Sequence, residues 1–467
     1  TNLITHRWNI SSDCYAEEGN ITGVTNTLTL NNYGNVSSCS PINEIFTGNY
    51  NCTWNSTSQP EGYWTITITA SKTNYNSNTT SYTDWFFLDN LEPIVSNLAV
   101  TPTQGGWTRE YNYTIDVADP ENDTVTCYLY VNTTGSFILR GSTVITPPGT
   151  CKITVHDFTC LEQSNASFYF VVNDTFNKIN TSEILGITQG PNITKSQVEI
   201  LYVAGNESLI NRSSEINQQA LLVLRARDIE NSSYPANVNG SFWITLDGIN
   251  WDSGYYTTSN STGYFNYIFN PTCSYSAGRQ KWKGGSYNDA CYFDANSSEF
   301  NLTIYGDQIL TIVQPKGQEF LRGEDNILLR GNLTDECSNL LTGASINFIA
   351  IHSETGQQFA CLPINNEGNG YYNCTILNTT HATWPTGGYN VKFNSTLTYY
   401  NYNETTESFV LNEKGFFLET KPKLIGAIVY PSGDGGWGET WTFKVNFTDE
   451  DGDSGTVRLW IRKVRSA

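Results

Sequence analysis

The sequence predicts an all-β protein of tandem immunoglobulin-like β-sandwich modules in an elongated array. Three observations predict it. The first is a long-range repeat. Gly48-Asn49-Tyr50-Asn51-Cys52-Thr53 returns 322 residues later as Gly370-Tyr371-Tyr372-Asn373-Cys374-Thr375. Self-similarity at that distance marks an array of units. The second is strand periodicity. From Tyr63 to Thr69, Trp64, Ile66 and Ile68 alternate with Tyr63, Thr65, Thr67 and Thr69. A period of two describes a half-buried antiparallel strand. The third is composition. Aromatics make up 13% and charged residues only 15% of a chain rich in Gly, Asn, Ser and Thr, which favours strands and turns over helices.

Each module follows from its own signals. Residues 1–90 form the first, type A, with strands at Thr25 to Leu30 and Tyr63 to Thr69 separated by the turn cluster Gln59-Pro60-Glu61-Gly62. Residues 91–188 form the second, type B. Its strand Tyr111 to Val117, acidic turn Asp119 to Asp123 and strand Val125 to Val131 make a sandwich opening, and Phe168 to Val172 reads as a late strand. Residues 189–306 form the third, with strands Ala220 to Asp228 and Ser241 to Leu246 and a Gly- and Tyr-rich insertion from Tyr275 to Asn288. Residues 307–413 repeat type A, beginning with strands at Ile309 to Val313 and Asn326 to Leu333. Residues 414–467 repeat type B in part. Phe86-Phe87-Leu88 recurs as Phe416-Phe417-Leu418, and Gly105-Gly106-Trp107 as Gly435-Gly436-Trp437.

The repeat places Thr1 opposite Gly323, so module one lacks the strand that Ile309 to Val313 supplies in module four. Both ends of the sequence fall inside modules. The expectation is a window of a longer repeat protein, and the rival is that neighbouring subunits donate the missing strands. The chain starts at Thr1, contains no Met and shows no signal peptide, as expected of a processed or partial chain. No apolar run reaches the roughly 20 residues that span a bilayer, so no membrane segment is expected in it. With 45 acidic against 25 basic residues and a formal charge of −20, nucleic acid is excluded as a partner, because phosphate binding needs a basic face.

Eleven cysteines cluster by module, with no Cys-x-x-Cys. That spacing points to disulfides in an oxidising compartment and leaves one thiol over. A Cys273–Cys291 bridge is expected to staple the module-three insertion. Cys39 and Cys52 flank a turn, as do Cys361 and Cys374, so each pair is a candidate to cross a hairpin. That would free Cys14 and Cys337 to bond between modules or subunits. Alternatively Cys14 joins Cys39, and the sequence does not choose.

Asn-x-Ser/Thr sequons run the length of the chain, at about twice the abundance chance would give. The candidate acceptors are Asn9, Asn20, Asn35, Asn55, Asn78, Asn112, Asn122, Asn132, Asn165, Asn173, Asn180 and Asn192, followed by Asn206, Asn211, Asn231, Asn239, Asn260, Asn296, Asn301, Asn332, Asn378, Asn394, Asn403 and Asn446. They point to an exported, glycosylated surface. Turn and strand-face duty is the plainer use of Asn and Thr.

The acidic turns are the metal candidates. Asp119, Glu121 and Asp123, and again Asp449, Asp451 and Asp453, offer alternating carboxylates to calcium, although the full EF-hand pattern is absent. The plainer reading is a solvated turn at a strand end. His6, His156, His352 and His381 lie far apart in sequence, and no nucleophile elbow, zinc helix or phosphate loop occurs. The expectation is no enzyme and no cofactor beyond the possible calcium. Most aromatics, such as Trp64, Trp243 and Trp460, sit at alternating positions that fill cores. Trp282 and Tyr287 lie in the Gly-rich insertion, where a loop could stack on sugar.

The Gly-x-Tyr-Asn-Cys-Thr stretch, the following Ala70-Ser71-Lys72-Thr73-Asn74-Tyr75, the Phe-Phe-Leu ends and the Gly-Gly-Trp openings resemble archaeal cell-surface glycoproteins with tandem immunoglobulin-like repeats. Surface layers, adhesins and extracellular filaments contain such proteins. The resemblance covers modules one, two, four and five, and carries over no catalytic residue. It implies an extracellular structural subunit at the cell surface, bearing N-linked glycans and partnered by copies of itself in a polymer or lattice. The competing reading is an adhesin that binds surface glycans through the aromatic loop of module three.

Overall fold

Tyr111–Ala118 and Val125–Asn132 bury every second side chain: Tyr111, Tyr113, Ile115 and Val117 in one, Val125, Cys127, Leu129 and Val131 in the other. This alternation makes one face of each sheet apolar and forces two sheets to pack face to face. The computed structural model describes residues 3–11, 19, 21–89, 91–212 and 219–464. Cys14 and the candidate acceptor Asn20 lie outside them. Helical structure among the described residues is confined to the short 3-10 turns Cys160–Glu162 and Ser182–Leu185. The chain is an all-β protein of sandwich modules. It divides into two compact units, one of residues 1–199, 227–238 and 288–295, the other of residues 200–226, 239–287 and 296–467.

In the first unit, module one pairs Asn49–Asn55 centrally between Leu3–Asn9 and Ile42–Phe46. The opposing sheet runs Asn35–Ser38, Thr25–Asn32, Gly62–Ser71, Asn78–Leu88. Leu28, Leu30, Trp54, Trp64 and Ile66 fill the space between. Cys39 and Cys52 are bonded there. Module two sets Tyr111–Ala118 between Gly149–Val155 and Ile94–Thr101. Its second sheet is centred on Val125–Asn132 and Ser164–Asp174, and Cys127–Cys151 bridges the two sheets. Phe168, Phe170 and Val172 are fully buried, each worth on the order of 1.5–3 kcal/mol of apolar transfer. Thr188–Thr194 closes this sheet, with the edge strand Gln104–Gly106 parallel to it. It starts at the last residue of the expected 91–188 module and runs into the next.

In the second unit, the expected break at 306/307 falls inside one strand, Phe300–Gln314. Its first part pairs with Gly278–Ser286 of module three and its second part with Ile327–Asp335 of module four. Module four's other sheet is built on Gly387–Thr396 and Ser345–His352 and completed by Gly415–Glu419, residues past the expected boundary at 413. Phe416 and Leu418 enter its core. Cys361–Cys374 bonds a strand of one sheet to a strand of the other, and so does not cross a hairpin as expected. Lys423–Tyr430 and Thr442–Thr448 form a final two-stranded sheet, with Leu424, Ile425, Ile428 and Tyr430 exposed.

Two expectations are corrected. The module-three insertion is a strand, Gly278–Ser286, whose Trp282 is fully buried. Its glycines serve close packing: a Cβ on Gly284 would come within 2.8 Å of the Ser241 carbonyl oxygen. Trp282 donates from Nε1 to the Gly205 carbonyl at 3.2 Å and packs on Phe242 and Phe300. Trp282 therefore offers no sugar platform, whereas Tyr287, the other aromatic expected there, is 38% exposed. The Cys273–Cys291 bridge is not formed either. An extended nine-residue strand lies between these cysteines, roughly 30 Å of chain at the usual rise. Cys273 is bonded to Cys337, and Cys291 to Cys160.

Candidate functional site: the module junctions

The acidic turns share one construction. An Asp at the end of a strand accepts backbone N–H groups with Oδ1 and so closes the turn behind it. Asp119 takes the amides of Glu121 and Asp123 at 3.0 and 2.9 Å, and Asp228 those of Glu230 and Asn231 at 2.8 and 3.3 Å. Asp335 takes Cys337 and Asn339 at 3.0 and 2.7 Å, and Asp449 takes Asp451 at 3.2 Å. Burial, together with the neighbouring Asp119 and Asp174, raises the Asp123 carboxyl above its usual range. Among the described residues no group of three or more His, Cys, Asp or Glu is arranged to hold a metal ion. In the turns expected to bind calcium, Asp119 Oδ1 and Asp449 Oδ1 are engaged by backbone amides of the turn itself.

The residue one or two positions beyond each turn Asp does the further work. Its carboxylate binds the first residue of its own module, a residue of the preceding module, or both. Glu121 Oε2 accepts from the Leu91 amide at 3.3 Å, at the start of module two. Glu230 Oε1 accepts from the Gly106 amide at 2.9 Å, and its Oε2 lies 3.8 Å from Arg109 Nε. Glu336 accepts from Arg212 Nε at 2.6 Å and from the Asp307 amide at 2.8 Å. Glu450 accepts from Arg322 Nη1 at 2.8 Å. Asp451 takes both the amide and the hydroxyl of Thr420.

At two junctions these clamps stand with a disulfide that joins successive modules. Cys160 of module two is bonded to Cys291, beside Gly106, Trp107 and Thr108. Trp107 Nε1 donates to the Cys291 carbonyl at 3.0 Å, its ring meets Tyr292, and Thr108 hydrogen-bonds Ser196 at 2.7 Å. Gly106 is required here, because a Cβ would come within 2.6 Å of the Ser196 Cα. The Tyr111 hydroxyl donates to the Gly106 carbonyl at 3.1 Å, and burial, then the Glu230 charge, pushes it up to about 12. In the second unit, Cys273 of module three is bonded to Cys337 of module four. Arg212 lies buried in the same junction. Besides Glu336 it donates to the Tyr275 carbonyl at 2.7 Å and to Asp335 Oδ2 at 2.8 Å.

The sequence reading missed these clamps. Their trace was present: an Asp followed one or two residues later by Glu returns about every 110 residues, and Arg109, Arg212 and Arg322 recur at a similar interval. The histidines are structural where their surroundings are plain. Buried His352 engages Thr355 and the Thr386 carbonyl, and buried His381 the Asp325 carbonyl. Of the candidate glycan acceptors, none of those described is buried. Several present a committed amide: Asn180 Nδ2 donates to the Pro93 carbonyl at 2.8 Å, Asn403 Nδ2 to the Gln308 carbonyl at 2.6 Å, Asn378 Nδ2 to the Glu324 carbonyl at 3.2 Å, Asn301 Nδ2 to Glu207 at 3.2 Å and Asn173 Nδ2 to Asn177 at 3.5 Å, whereas Asn332 Nδ2 is buried with no partner among the described residues.

The fold and its junctions define a protein of tandem immunoglobulin-like sandwich modules. No family model and no curated protein matches the chain. Among solved structures it is similar to a tetra-tandem repeat from the extending region of a large adhesion protein, at 14% identity and TM-score 0.36, covering 83% of this chain and 91% of that one. It is similar also to a Ca2+-stabilized adhesin with which an Antarctic bacterium binds ice, at 11% identity and TM-score 0.24 over 90% and 94% of the two chains. A third is the N-terminal eight Ig domains of Down Syndrome Cell Adhesion Molecule, at 10% identity and TM-score 0.22 over 96% and 49%. The fold assignment rests on the sheets and cores described above.

Proposed function

We propose that this chain is a structural subunit of an extracellular cell-surface assembly, a filament or surface layer, that polymerises through contacts between β-sandwich modules and carries N-linked glycans. The observation that carries this reading is the pair of disulfides between successive modules, Cys160–Cys291 and Cys273–Cys337. A covalent bond across a junction resists separation of modules under load, and such bonds persist in oxidising, extracellular surroundings. The strand shared by modules three and four serves the same end.

Sedimentation of native material, purified without any added ligand, tests the reading. Large species of regular composition are expected to form as concentration rises. A single monomeric species at every concentration would count against it.

A further inference from the structure

We propose that the first unit carries a saccharide-binding cavity beside the Gly-Gly-Trp junction, shaped for a pyranose unit of a glycan. The inference goes beyond the assembly reading and does not depend on it. The cavity has a volume of about 560 Å³, within the roughly 300–1,000 Å³ of small-ligand sites. Gln104, Gly105, Arg109, Gln197, Glu230 and Phe293 line it.

The lining supplies polar groups that the protein itself leaves unused. The Arg109 side chain is about half exposed and lies across Gly105, where a Cβ would come within 2.5 Å of its Cδ. Its nearest acceptor, Glu230 Oε2, stands 3.8 Å from Nε, beyond hydrogen-bonding distance. Among the described residues the guanidinium therefore hydrogen-bonds nothing. Glu230 cannot swing away, because its other oxygen holds the Gly106 amide at 2.9 Å and its own amide is held by Asp228. The carboxylate thus keeps the cation over the cavity. Gln104 and Gln197 are exposed, and their side-chain amides meet no described partner. Each brings two donors and an acceptor. Phe293, 45% exposed, supplies an aromatic wall.

The chemistry selects the ligand class. Planar amide and guanidinium groups around one aromatic ring suit a compact body covered in hydroxyls, with one face of C–H groups for the ring. An acyl chain would find no enclosed apolar wall. A polyanion would meet Glu230 beside the two cations, and Lys195 is already spent on the Asp289 carbonyl. The saccharide has two possible sources. Asn192 pairs in register with Gln104, and Asn231 follows Glu230, so a glycan on this chain could reach the cavity. A glycan of another molecule is the alternative.

Saturation-transfer NMR on the full chain tests the proposal, with methyl glycosides of glucose, mannose, galactose, N-acetylglucosamine and glucuronic acid as probes. Native and enzymatically deglycosylated protein are compared. At least one probe is expected to receive saturation on its ring protons. Arg109→Lys, which keeps a cation beside Glu230 but loses the planar fork, should weaken it about tenfold and Gln197→Ala by a smaller factor, with the thermal midpoint unchanged. Binding seen only after deglycosylation assigns the cavity to the chain's own glycan, and equal binding in both preparations assigns it to an external one. Saturation of no probe in either preparation, or binding that survives both substitutions, overturns the proposal.

Discussion

Arg212 Nη2 stands 2.8 Å from Asp335 Oδ2, and the two side chains are 2% and 1% exposed. One belongs to module three and the other to module four. A buried pair of this kind adds little net stability over an apolar pair, but removing one member strands the other. Here Glu336 would be stranded as well. Arg212→Met should therefore cost about 3–5 kcal/mol in chemical denaturation of the full chain. Adding Asp335→Asn should recover part of that loss. A loss below about 1 kcal/mol, the range of a surface pair, would contradict the clamp.

The repeat supplies a matched control for the junction at Gly106. A Cβ there would meet Ser196 Oγ at 2.4 Å and its Cα at 2.6 Å, whereas a Cβ on the twin residue Gly436 meets nothing within 4 Å. Gly106→Ala is expected to cost roughly 1–3 kcal/mol through overpacking against backbone. Gly436→Ala should stay within about 0.5 kcal/mol of the parent. Thermal unfolding of the two variants side by side checks the difference.

Replacing Cys273 and Cys337 together by Ser removes a bridge that closes a loop of 64 residues. The loop-entropy relation puts the loss at about 4 kcal/mol. Denaturation of the double variant under oxidising conditions measures it. An unchanged midpoint would show that the junction does not depend on the bond.

Stability should fall at both ends of the pH scale. Burial raises the Tyr111 hydroxyl from 10.0 to about 12, and burial likewise raises Tyr113, Tyr275, Tyr292 and Tyr389. Their folded values lie above the unfolded one. Their contribution is therefore complete below pH 10 and is lost as pH climbs from there toward the folded values. At the acid end, hydrogen bonds from Arg330 and Asn373 hold Glu367 down at about 2 from 4.5. That contribution is complete above pH 4.5 and disappears as pH falls toward 2. Circular dichroism against pH, with tyrosinate absorbance followed in parallel, should show unfolding and tyrosine ionisation rising together in base.

Fold class was legible because a period of two survives in strands such as Tyr111–Ala118, where burial alternates without a break. The internal repeat was legible because both copies of Gly-x-Tyr-Asn-Cys-Thr keep the same core duty: Tyr50 and Tyr372 are buried, as are Cys52 and Cys374. The junctions were not. Arg212 and Asp335 lie 123 residues apart, and Cys160 and Cys291 are separated by 131. No local pattern joins residues that meet only when two modules stack. Trp282 was misread because glycine marks loops and tight strand packing alike, and only the neighbouring Ser241 and Leu224 decide between them. The acidic turns were legible in the sequence, but the contacts of their carboxylates were not. Their oxygens hold amides, guanidinium groups and a threonine hydroxyl.

Electron cryomicroscopy of native cell-surface material is the most direct test of the proposed structural role. Regular polymers or sheets are expected without added ligand, with density extending from exposed sequon asparagines such as Asn78, Asn206 and Asn260. Isolated particles with bare asparagines would contradict it.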